Sequence, residues 1–485
     1  MQKSELLLIS VLPHSHRNLS LLSLYAVAVA CHIPTSLLFI PMRNEYSEPE
    51  FGAFLTAHGF DVVGISVTTG DFYFSRTLSD HIRKYLPHAH VVWGGIHPLS
   101  FPEECLEHAD SICIGEGETT LQKLIARLKK GEDISNIPGI GVRKVGQFFL
   151  NPPPPVRNDL STLPFPRYDF DHFYMLDARG LHSFSLEDYS RYSKHNGEDY
   201  TIMTSRSCPH RCAFCINSFL NRVQGSWGKI RRRSVDHVLQ EIAHARSQMP
   251  GISFVNFIDD HFLTDKRWTR EFCEKYKRQV HLPFMIRAVP AAIKDEEIRL
   301  LKEAGLAVLQ TGIQSGSERI HKTIFDRSFN RNAILRAAEV LKRYGIKPVY
   351  DFIIENDFET DADRDLTIEL MLELPKPYEV NLFDLTVFPK TDLETMYRER
   401  NMKSRIDPYV SDYLDYNEND FYYQLASVIQ LIPTRKARFL FRHRRFARSY
   451  LQRLYLCKRS TLRNVSVAEP EKLSRQAEFR DIAHG

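Results

Sequence analysis

The chain carries two successive series of apolar runs, each run long enough for one strand and followed by a stretch with helical spacing. Continuous apolar strands that alternate with helices indicate parallel sheets covered on both faces. The first series predicts a doubly wound, Rossmann-like α/β domain, and the second predicts a partial (β/α)6 barrel. The predicted strands are residues 6–12, 36–40, 62–67, 90–93 and 111–114, then 200–204, 254–258, 284–288, 308–313, 348–354 and 380–387.

A proline run separates the two series. Asn151-Pro-Pro-Pro-Pro155 must be extended, because proline fixes φ and has no amide hydrogen for a helix or a sheet. The sequence therefore predicts a Rossmann-like domain over 1–150, a linker over 151–195, a barrel over 196–405 and a helical, basic region over 406–485. The apolar run 19–31 resembles the core of a signal peptide, but it is too short to span a bilayer and is predicted to be the first helix.

Three cysteines share one short loop, Cys208-Pro-His-Arg-Cys212-Ala-Phe-Cys215. Thiolates are the usual ligands of a 4Fe–4S cluster, and a closed cluster takes four, so three leave one iron open to a small molecule. The alternative is a structural zinc ion, with His210 or a remote residue completing a tetrahedral set. The remaining cysteines provide no second zinc knuckle and are too sparse to indicate disulfides; they are Cys31, Cys105, Cys113, Cys273 and Cys457.

Polar loops follow three of the predicted strands in the first series, at residues 66–70, 94–98 and 115–118. In open α/β sheets, ligands bind at the carboxyl ends of the strands. Glycine lets the backbone approach such a ligand closely, because it has no side chain. The loops therefore predict a ligand site at this edge of the sheet.

The cysteine loop, with an aromatic residue before its last cysteine, resembles the signature of the radical SAM superfamily. The sequences Trp93-Gly-Gly-Ile-His-Pro98 and Ile114-Gly-Glu-Gly-Glu-Thr119 resemble motifs of the cobalamin-binding domain that precedes the radical SAM domain in one large subfamily. The chain is thus similar to the cobalamin-binding-domain-containing radical SAM enzyme family. The resemblance implies a 4Fe–4S cluster on Cys208, Cys212 and Cys215, S-adenosylmethionine (SAM) chelated by the open iron, and cobalamin.

The resemblance also implies which strand-end residues contact the corrinoid. They are Ser66, Thr68, Gly94, Gly95, Gly115 and Gly117. No Asp-x-His-x-x-Gly motif follows the first strand, where the sequence is Pro13-His-Ser-His-Arg17, so a histidine ligand to cobalt is not expected. The alternative is a domain that keeps the fold and binds nothing.

Barrel residues after the second, third and fourth strands are implied to hold SAM. Asp259 and Asp260 stand where the family has a Gly-Gly-Glu motif, and a carboxylate could pair with the methionine ammonium. Gly312-Ile-Gln-Ser-Gly-Ser317 resembles a ribose-binding segment, with Gln314 in place of Glu. The full set is Phe214 beside the adenine, Asp259, Asp260, Arg287, Gln314 and Ser315. Core packing for Phe214 and a surface ion pair for Arg287 are the alternatives.

The C-terminal region combines positive charge with aromatic residues. Residues 433–464 contain eleven Lys and Arg and no acidic residue, with Phe439, Phe446, Tyr450 and Leu454 at roughly helical spacing. Such a helix could bind an anionic membrane or RNA. The favoured prediction is that this apolar stripe packs against the barrel while the basic side chains reach solvent.

These features predict a cytoplasmic radical SAM enzyme, most simply a cobalamin-dependent methyltransferase that acts on an unactivated carbon of a small-molecule or lipid-like substrate. The alternatives are a cobalamin-assisted cyclase or oxidase, an RNA methylthiotransferase-like enzyme, and a non-catalytic protein that binds a metal or a corrinoid. The family resemblance implies an electron donor such as flavodoxin or ferredoxin. With Lys+Arg 64 and Asp+Glu 60, the charge bias is too weak to indicate a nucleic-acid partner.

Overall fold

A computed structural model of the chain describes residues 5–11, 18–41, 46–192, 197–225, 229–404, 408–409 and 419–467, with the backbone alone over 459–467. Within these ranges, no helix is both long enough and apolar enough to cross a membrane.

The first series of apolar runs forms one large sheet. Its strands are β1 Leu6–Ser10, β2 Thr35–Phe39, β3 Val62–Ser66, β4 His90–Gly94, β5 Ser111–Cys113, β6 Ile140–Lys144, β7 Gln147–Leu150, β8 Phe173–Asp177 and β9 Gly180–Ser183. They are arranged in the order β7-β6-β5-β4-β3-β1-β2-β8-β9. Strands β1 to β5 and β8 are parallel, whereas β6, β7 and β9 run antiparallel to their neighbours.

Helices cover both faces of this sheet. They are α1 Leu19–Ala30, α2 Glu48–His58, α3 Phe72–Tyr85, α4 Ile96–Ser100, α5 Pro102–Cys105, α6 Gly117–Lys130 and α7 Leu186–Arg191. Strand β1 lies between β2 and β3 in the sheet. The strand order therefore reverses direction next to β1, and the topological switch point lies between β1 and β3. Helix α1 buries Leu21, Leu22 and Tyr25, which confirms that the run resembling a signal peptide is the first helix of an α/β domain.

The segment predicted to be a linker contains secondary structure. Strand β8 pairs in parallel with β2, and β9 pairs with β8, so residues 173–183 extend the sheet of the first domain. The proline-rich part is extended and irregular, as proline requires. The sequence predicts a linker over the whole of 151–195 because the proline signal there is stronger than one short strand pattern.

The second series forms a six-stranded parallel sheet in the order β10-β13-β14-β15-β16-β17. Its strands are β10 Asp199–Ile202, β13 Phe254–Phe257, β14 Phe284–Arg287, β15 Leu306–Gln314, β16 Lys347–Glu355 and β17 Glu379–Asp384, with a small antiparallel pair, β11 Ser205–Arg206 and β12 Arg231–Arg232. The helices between them are α8 Ile216–Gln224, α9 Val235–Gln248, α10 Lys266–Gln279, α11 Asp295–Ala304, α12 Glu318–Thr323, α13 Arg331–Arg343, α14 Asp361–Glu373 and α15 Asp392–Glu399. The predicted partial (β/α)6 barrel is confirmed.

Three further helices, α16 Phe421–Val428, α17 Thr434–Arg442 and α18 Arg444–Val467, pack against the last barrel strands. The predicted apolar stripe is wrong in part. Leu454 is buried, but Phe439, Phe446 and Tyr450 are exposed. The buried stripe instead consists of Ala437, Leu440, Ala447, Leu451, Leu454 and Tyr455. The spacing of the aromatic residues is helical, yet the smaller aliphatic residues are the ones that fit against the barrel.

Candidate active site between the two domains

The cysteine loop joins β11 to α8 and is held by hydrogen bonds from that helix. Asn221 Nδ2 donates to the Cys208 carbonyl at 2.9 Å, and Ser218 Oγ donates to the Cys212 carbonyl at 2.9 Å. Ser207, directly before the first cysteine, has φ of 82°, a conformation that costs energy in a non-glycine residue. The loop is therefore built to present its side chains in one arrangement.

A zinc ion and a 4Fe–4S cluster make different demands on the three thiols. One tetrahedral zinc ion with Zn–S bonds of about 2.3 Å would hold its sulfur ligands about 3.8 Å apart. Within the described part of the chain, the one set of three metal-ligating side chains whose ligand atoms all lie within 4.8 Å of one another is Asp177, His182 and Asp188. A 4Fe–4S cluster would instead bind each of the three thiolates through a separate iron.

The set of Asp177, His182 and Asp188 is occupied by a cation of the chain itself. Arg179 lies among the three side chains, and its guanidinium donates to Asp177 Oδ2 at 2.8 Å and also to Asp188. This group is therefore an internal ion-pair network that joins the β8–β9 hairpin to α7.

The cysteines are half-buried free thiols. Burial raises the pKa of Cys208 to about 11 and that of Cys215 to about 12. Thiolates are the metal-binding form, so cluster binding here must release protons. Burial also raises the pKa of Cys212, and the positive charge of Arg327 opposes this rise for Cys208 and Cys212.

A cavity of about 430 Å³ lies between the two domains and is lined from both. Five of the six predicted corrinoid contacts line it, namely Ser66, Gly94, Gly95, Gly115 and Gly117. Thr68 is not among the lining residues, because its hydroxyl turns to Asp71 Oδ2 at 2.6 Å. The cysteine-loop side contributes Ser207, Asn217 and Asp260. The Pro13–Arg17 segment, where no cobalt-ligating histidine is expected, lies outside the described residues.

Glycine is needed at two of these positions for different reasons. Gly95 has φ of 103°, and a Cβ there would lie 2.7 Å from the Val67 carbonyl oxygen. Gly94 is less constrained, because a Cβ on this residue would lie 3.8 Å from its nearest contact, the Cys113 carbonyl oxygen. The fold therefore demands glycine at 95, whereas at 94 it keeps open a part of the cavity that a side chain would fill.

An ion-pair network that no pattern in the sequence predicts crosses the cavity from one domain to the other. Arg206, two residues before Cys208, approaches Glu118 Oε1 at 2.5 Å and Glu116 Oε1 at 3.2 Å. Arg231 on β12 approaches the same Glu116 oxygen at 2.7 Å. Burial would raise the pKa of Glu118, but the Arg206 contact outweighs it and holds that pKa below its usual value. The glycine-rich loop and the cysteine loop are thus joined by charge.

Of the two carboxylates predicted to meet SAM, one faces the cavity. Asp260 is exposed and lines it. Asp259 is fully buried and accepts hydrogen bonds from the Thr204 amide at 3.1 Å and the Thr204 hydroxyl at 2.7 Å, so it holds the end of β10. The pattern of two adjacent acids could not separate these roles, because neighbouring residues after a strand point in opposite directions.

The other residues predicted to contact SAM also differ in how far the fold already engages their side chains. Arg287 Nε donates to Gln310 Oε1 at 3.2 Å, and Gln310 in turn donates to Asp351 at 2.9 Å, so Arg287 belongs to a polar network across the strands β14 to β16. Ser315 is fully buried, and its hydroxyl donates to Glu359 at 3.0 Å. Phe214 packs edge-on against Phe325 with ring centroids 4.9 Å apart, which is the packing alternative.

Gln314 and Arg327 lie together near the end of β15. Gln314 has φ of 73°, and a Cβ on Gly312 would lie 2.4 Å from Gln314 Nε2, so Gly312 makes room for this side chain. Arg327 donates to the Gly312 carbonyl at 3.0 Å. This arginine follows α12 and belongs to no motif recognised in the sequence, so its position beside the cysteines is visible only in the fold.

Comparison with known proteins supports both domains. Residues 8–125 match the B12 binding domain family, and residues 202–371 match the radical SAM superfamily. An uncharacterized methyltransferase of Pyrococcus horikoshii is 26% identical over 323 residues, which are 66% of this chain and 65% of that protein.

Two other relatives have more specific names. The anaerobic magnesium-protoporphyrin IX monomethyl ester cyclase of Synechocystis is 27% identical over 312 residues, covering 63% of this chain and 57% of the cyclase. Cytidylyl-2-hydroxyethylphosphonate methyltransferase of Streptomyces wedmorensis is 26% identical over 319 residues, covering 60% and 56%. The matches thus span between 56% and 65% of the length of these three relatives.

Two solved structures share the fold. The cobalamin-dependent S-adenosylmethionine radical enzyme OxsB superposes with a TM-score of 0.71 at 16% identity, covering 100% of this chain and 72% of OxsB. The radical S-adenosylmethionine methyltransferase TsrM from Kitasatospora setae gives a TM-score of 0.67 at 18% identity, covering 82% and 76%. With both family domains present in this order and a shared cavity between them, the chain belongs to the cobalamin-binding-domain-containing radical SAM enzymes.

Proposed function

We propose that this protein cleaves SAM reductively and transfers a methyl group to a carbon atom of a small-molecule substrate. One observation carries the proposal: the glycine loops of the first domain and residues beside the cysteine loop line the same cavity. A corrinoid and SAM held on these two sides would face each other across it. The relatives named as methyltransferases support the same reaction class.

In this proposal, Cys208, Cys212 and Cys215 hold the cluster. When bound, the cluster supplies the electron that splits SAM, and cobalamin supplies the methyl-carrying metal. The hydrogen bonds from Asn221 and Ser218 keep the cysteine loop in place. The positive charge of Arg327 opposes the rise in the pKa of Cys208 and Cys212 that burial causes, so it would favour their thiolates.

We assign the SAM contacts to the side chains that are open to the barrel interior. Asp260 faces the cavity and would pair with the methionine ammonium, while Arg287 and Gln314 would meet its carboxylate and ribose. Asp259 and Ser315 act as positioning residues, since their oxygen atoms are engaged within the fold. On the other side, the backbone at Ser66, Gly94, Gly115 and Gly117 would contact the corrinoid.

Product analysis of the reconstituted protein tests the proposal. We expect the anaerobic protein, loaded with iron, sulfide and hydroxocobalamin and given SAM and a reductant, to form both 5′-deoxyadenosine and S-adenosylhomocysteine. The first product requires cleavage at the cluster, and the second remains when the methyl group of SAM has been transferred. Formation of neither product by protein with full iron content would contradict the proposal.

The second candidate is a radical cyclase, favoured by the 27% identity to the Synechocystis cyclase. Such an enzyme would use the same cysteine loop and cavity without consuming SAM as a methyl donor. It would therefore form 5′-deoxyadenosine without S-adenosylhomocysteine. The ratio of the two products in the same experiment distinguishes the candidates.

A further inference from the structure

The outward surface of the C-terminal helix pair takes no part in the site described above. Helices α17 and α18 turn their buried faces to the barrel, where Leu440, Leu451 and Leu454 enter the same core as β16 and α14. Arg444 also pairs with Asp365 on α14 at 2.5 Å. The helix pair is therefore held firmly on the body of the protein, and its outer face is a defined surface.

Large apolar side chains stand out from this outer face. Phe446 is 89% exposed, Phe439 58% and Leu456 50%, and Tyr450 is exposed beside them. The two helices present one continuous patch, because Lys436 of α17 lies 5.2 Å from the Tyr450 ring centre and Phe439 stacks on His443 at the turn. Exposing a phenylalanine this fully is costly unless something covers it.

Arginines surround these apolar side chains. Arg435, Arg438, Arg442, Arg445, Arg448 and Arg453 are all exposed. None of the six pairs with a carboxylate of the described residues, and residues 433–464 contain no acidic residue at all. The surface therefore attracts an anionic partner and offers it apolar groups at the same time.

We propose that this basic, aromatic surface binds the protein to the face of an anionic lipid membrane. The exposed arginines are attracted to an anionic membrane surface, and the apolar side chains can enter the boundary between headgroups and acyl chains. RNA would also attract the arginines, but Leu456 has no ring for base stacking, whereas hydrocarbon accepts leucine and phenylalanine alike. The occupant that matches every exposed group is therefore lipid.

Sedimentation of the full-length protein with vesicles tests this inference. We expect binding to vesicles of equal parts phosphatidylcholine and phosphatidylglycerol, weaker binding at high salt, and little binding to phosphatidylcholine alone. Phe446→Ser should weaken binding about tenfold, because one phenylalanine no longer leaves water. Arg445→Glu with Arg448→Glu should weaken it further and reduce its salt dependence, because four of the six exposed arginines remain.

A control is Leu186→Ser, which removes another exposed apolar side chain, 49% exposed, from the first domain. This variant should bind vesicles like the wild type. All variants should keep the wild-type melting temperature, because none of these side chains is buried. Absence of vesicle binding, equal binding by Phe446→Ser and the wild type, binding to RNA instead, or a dimer that Phe446→Ser dissociates would each overturn the inference.

Discussion

The two sides of the interdomain cavity are built in opposite ways. On the barrel side, three cysteine side chains supply the chemistry, and hydrogen bonds from α8 hold their backbone. On the first-domain side, the site consists mainly of places where no side chain stands, as at Gly94. The barrel side should therefore lose its cofactor when a side chain is removed, and the first-domain side should lose its cofactor when a side chain is added.

Removing a thiol should have the largest effect. We expect Cys208→Ala, Cys212→Ala or Cys215→Ala to abolish cluster binding and all SAM cleavage, because each thiolate binds a separate iron. Iron and sulfide content and 5′-deoxyadenosine formation measure the effect. Cys31→Ala, at an exposed cysteine outside the loop, is the control and should retain both. Full cluster content in the triple variant would refute the assignment.

Adding a side chain on the other side should remove the corrinoid and spare the cluster. Gly94→Val would place two methyl groups in the cavity, and we expect no corrinoid absorbance after desalting, with normal iron content. Gly251→Val is the matched control, because a Cβ there meets no atom within 4 Å. Retention of corrinoid by Gly94→Val would place the corrinoid elsewhere.

Gly95→Val is less informative than Gly94→Val. Its Cβ would collide with the Val67 backbone, and its φ of 103° disfavours any side chain. We expect this variant to have a lower melting temperature and also to lose the corrinoid. A drop in melting temperature for Gly95→Val but not for Gly94→Val would show that the fold requires glycine at 95, whereas the glycine at 94 keeps the cavity open. An unchanged melting temperature would contradict that distinction.

The ion pairs that join the two sides should matter less than either side itself. Arg206→Gln leaves the buried Glu118 without its cation, and we expect a loss of about 3 kcal/mol in the free energy of unfolding, measured by denaturant titration. Arg206→Lys keeps the charge and should recover part of the loss. If Arg206→Gln were as stable as the wild type, the network would not hold the domains together.

The smallest effect concerns Glu359, a half-buried glutamate whose carboxylate accepts a hydrogen bond from the Ser315 hydroxyl. Burial raises the pKa of Glu359 to about 8, so the folded protein holds this proton more tightly than the unfolded chain. The resulting stability is present below the ordinary pKa of glutamate and is lost as the pH rises through 8. We expect Glu359→Gln to lose less in melting temperature between pH 5 and pH 9 than the wild type, and equal losses would contradict the shift.

Much of the architecture could be predicted because it depends on local pattern. Every predicted strand overlaps an observed one, since apolar runs between turns specify buried parallel strands. The glycine loops were also found in place, because ligand sites lie at strand ends. Strands β8 and β9 were missed, since one short pattern after a proline run carries little signal.

For the candidate site, the sequence predicted which loops take part but not the direction of each side chain. Adjacent residues such as Asp259 and Asp260 share the same local sequence, and only the direction of each side chain separates a positioning role from an open one. The same holds for the C-terminal helices, where helical spacing alone could not tell that Phe446 faces outward while Leu451 faces the barrel. Which face of a helix is buried depends on the shape of its neighbour.

The sequence by itself determined the two-domain α/β plan and the three-cysteine loop, because apolar periodicity and ligand spacing are local properties. Only the tertiary structure decided that Arg206 meets Glu118 and that the charge of Arg327 acts on the cysteine thiols. Arg206 and Glu118 are 88 residues apart, and no local pattern records which distant charges meet. Their contact arises from packing two domains around one cavity, and that packing brings the two halves of the proposed chemistry together.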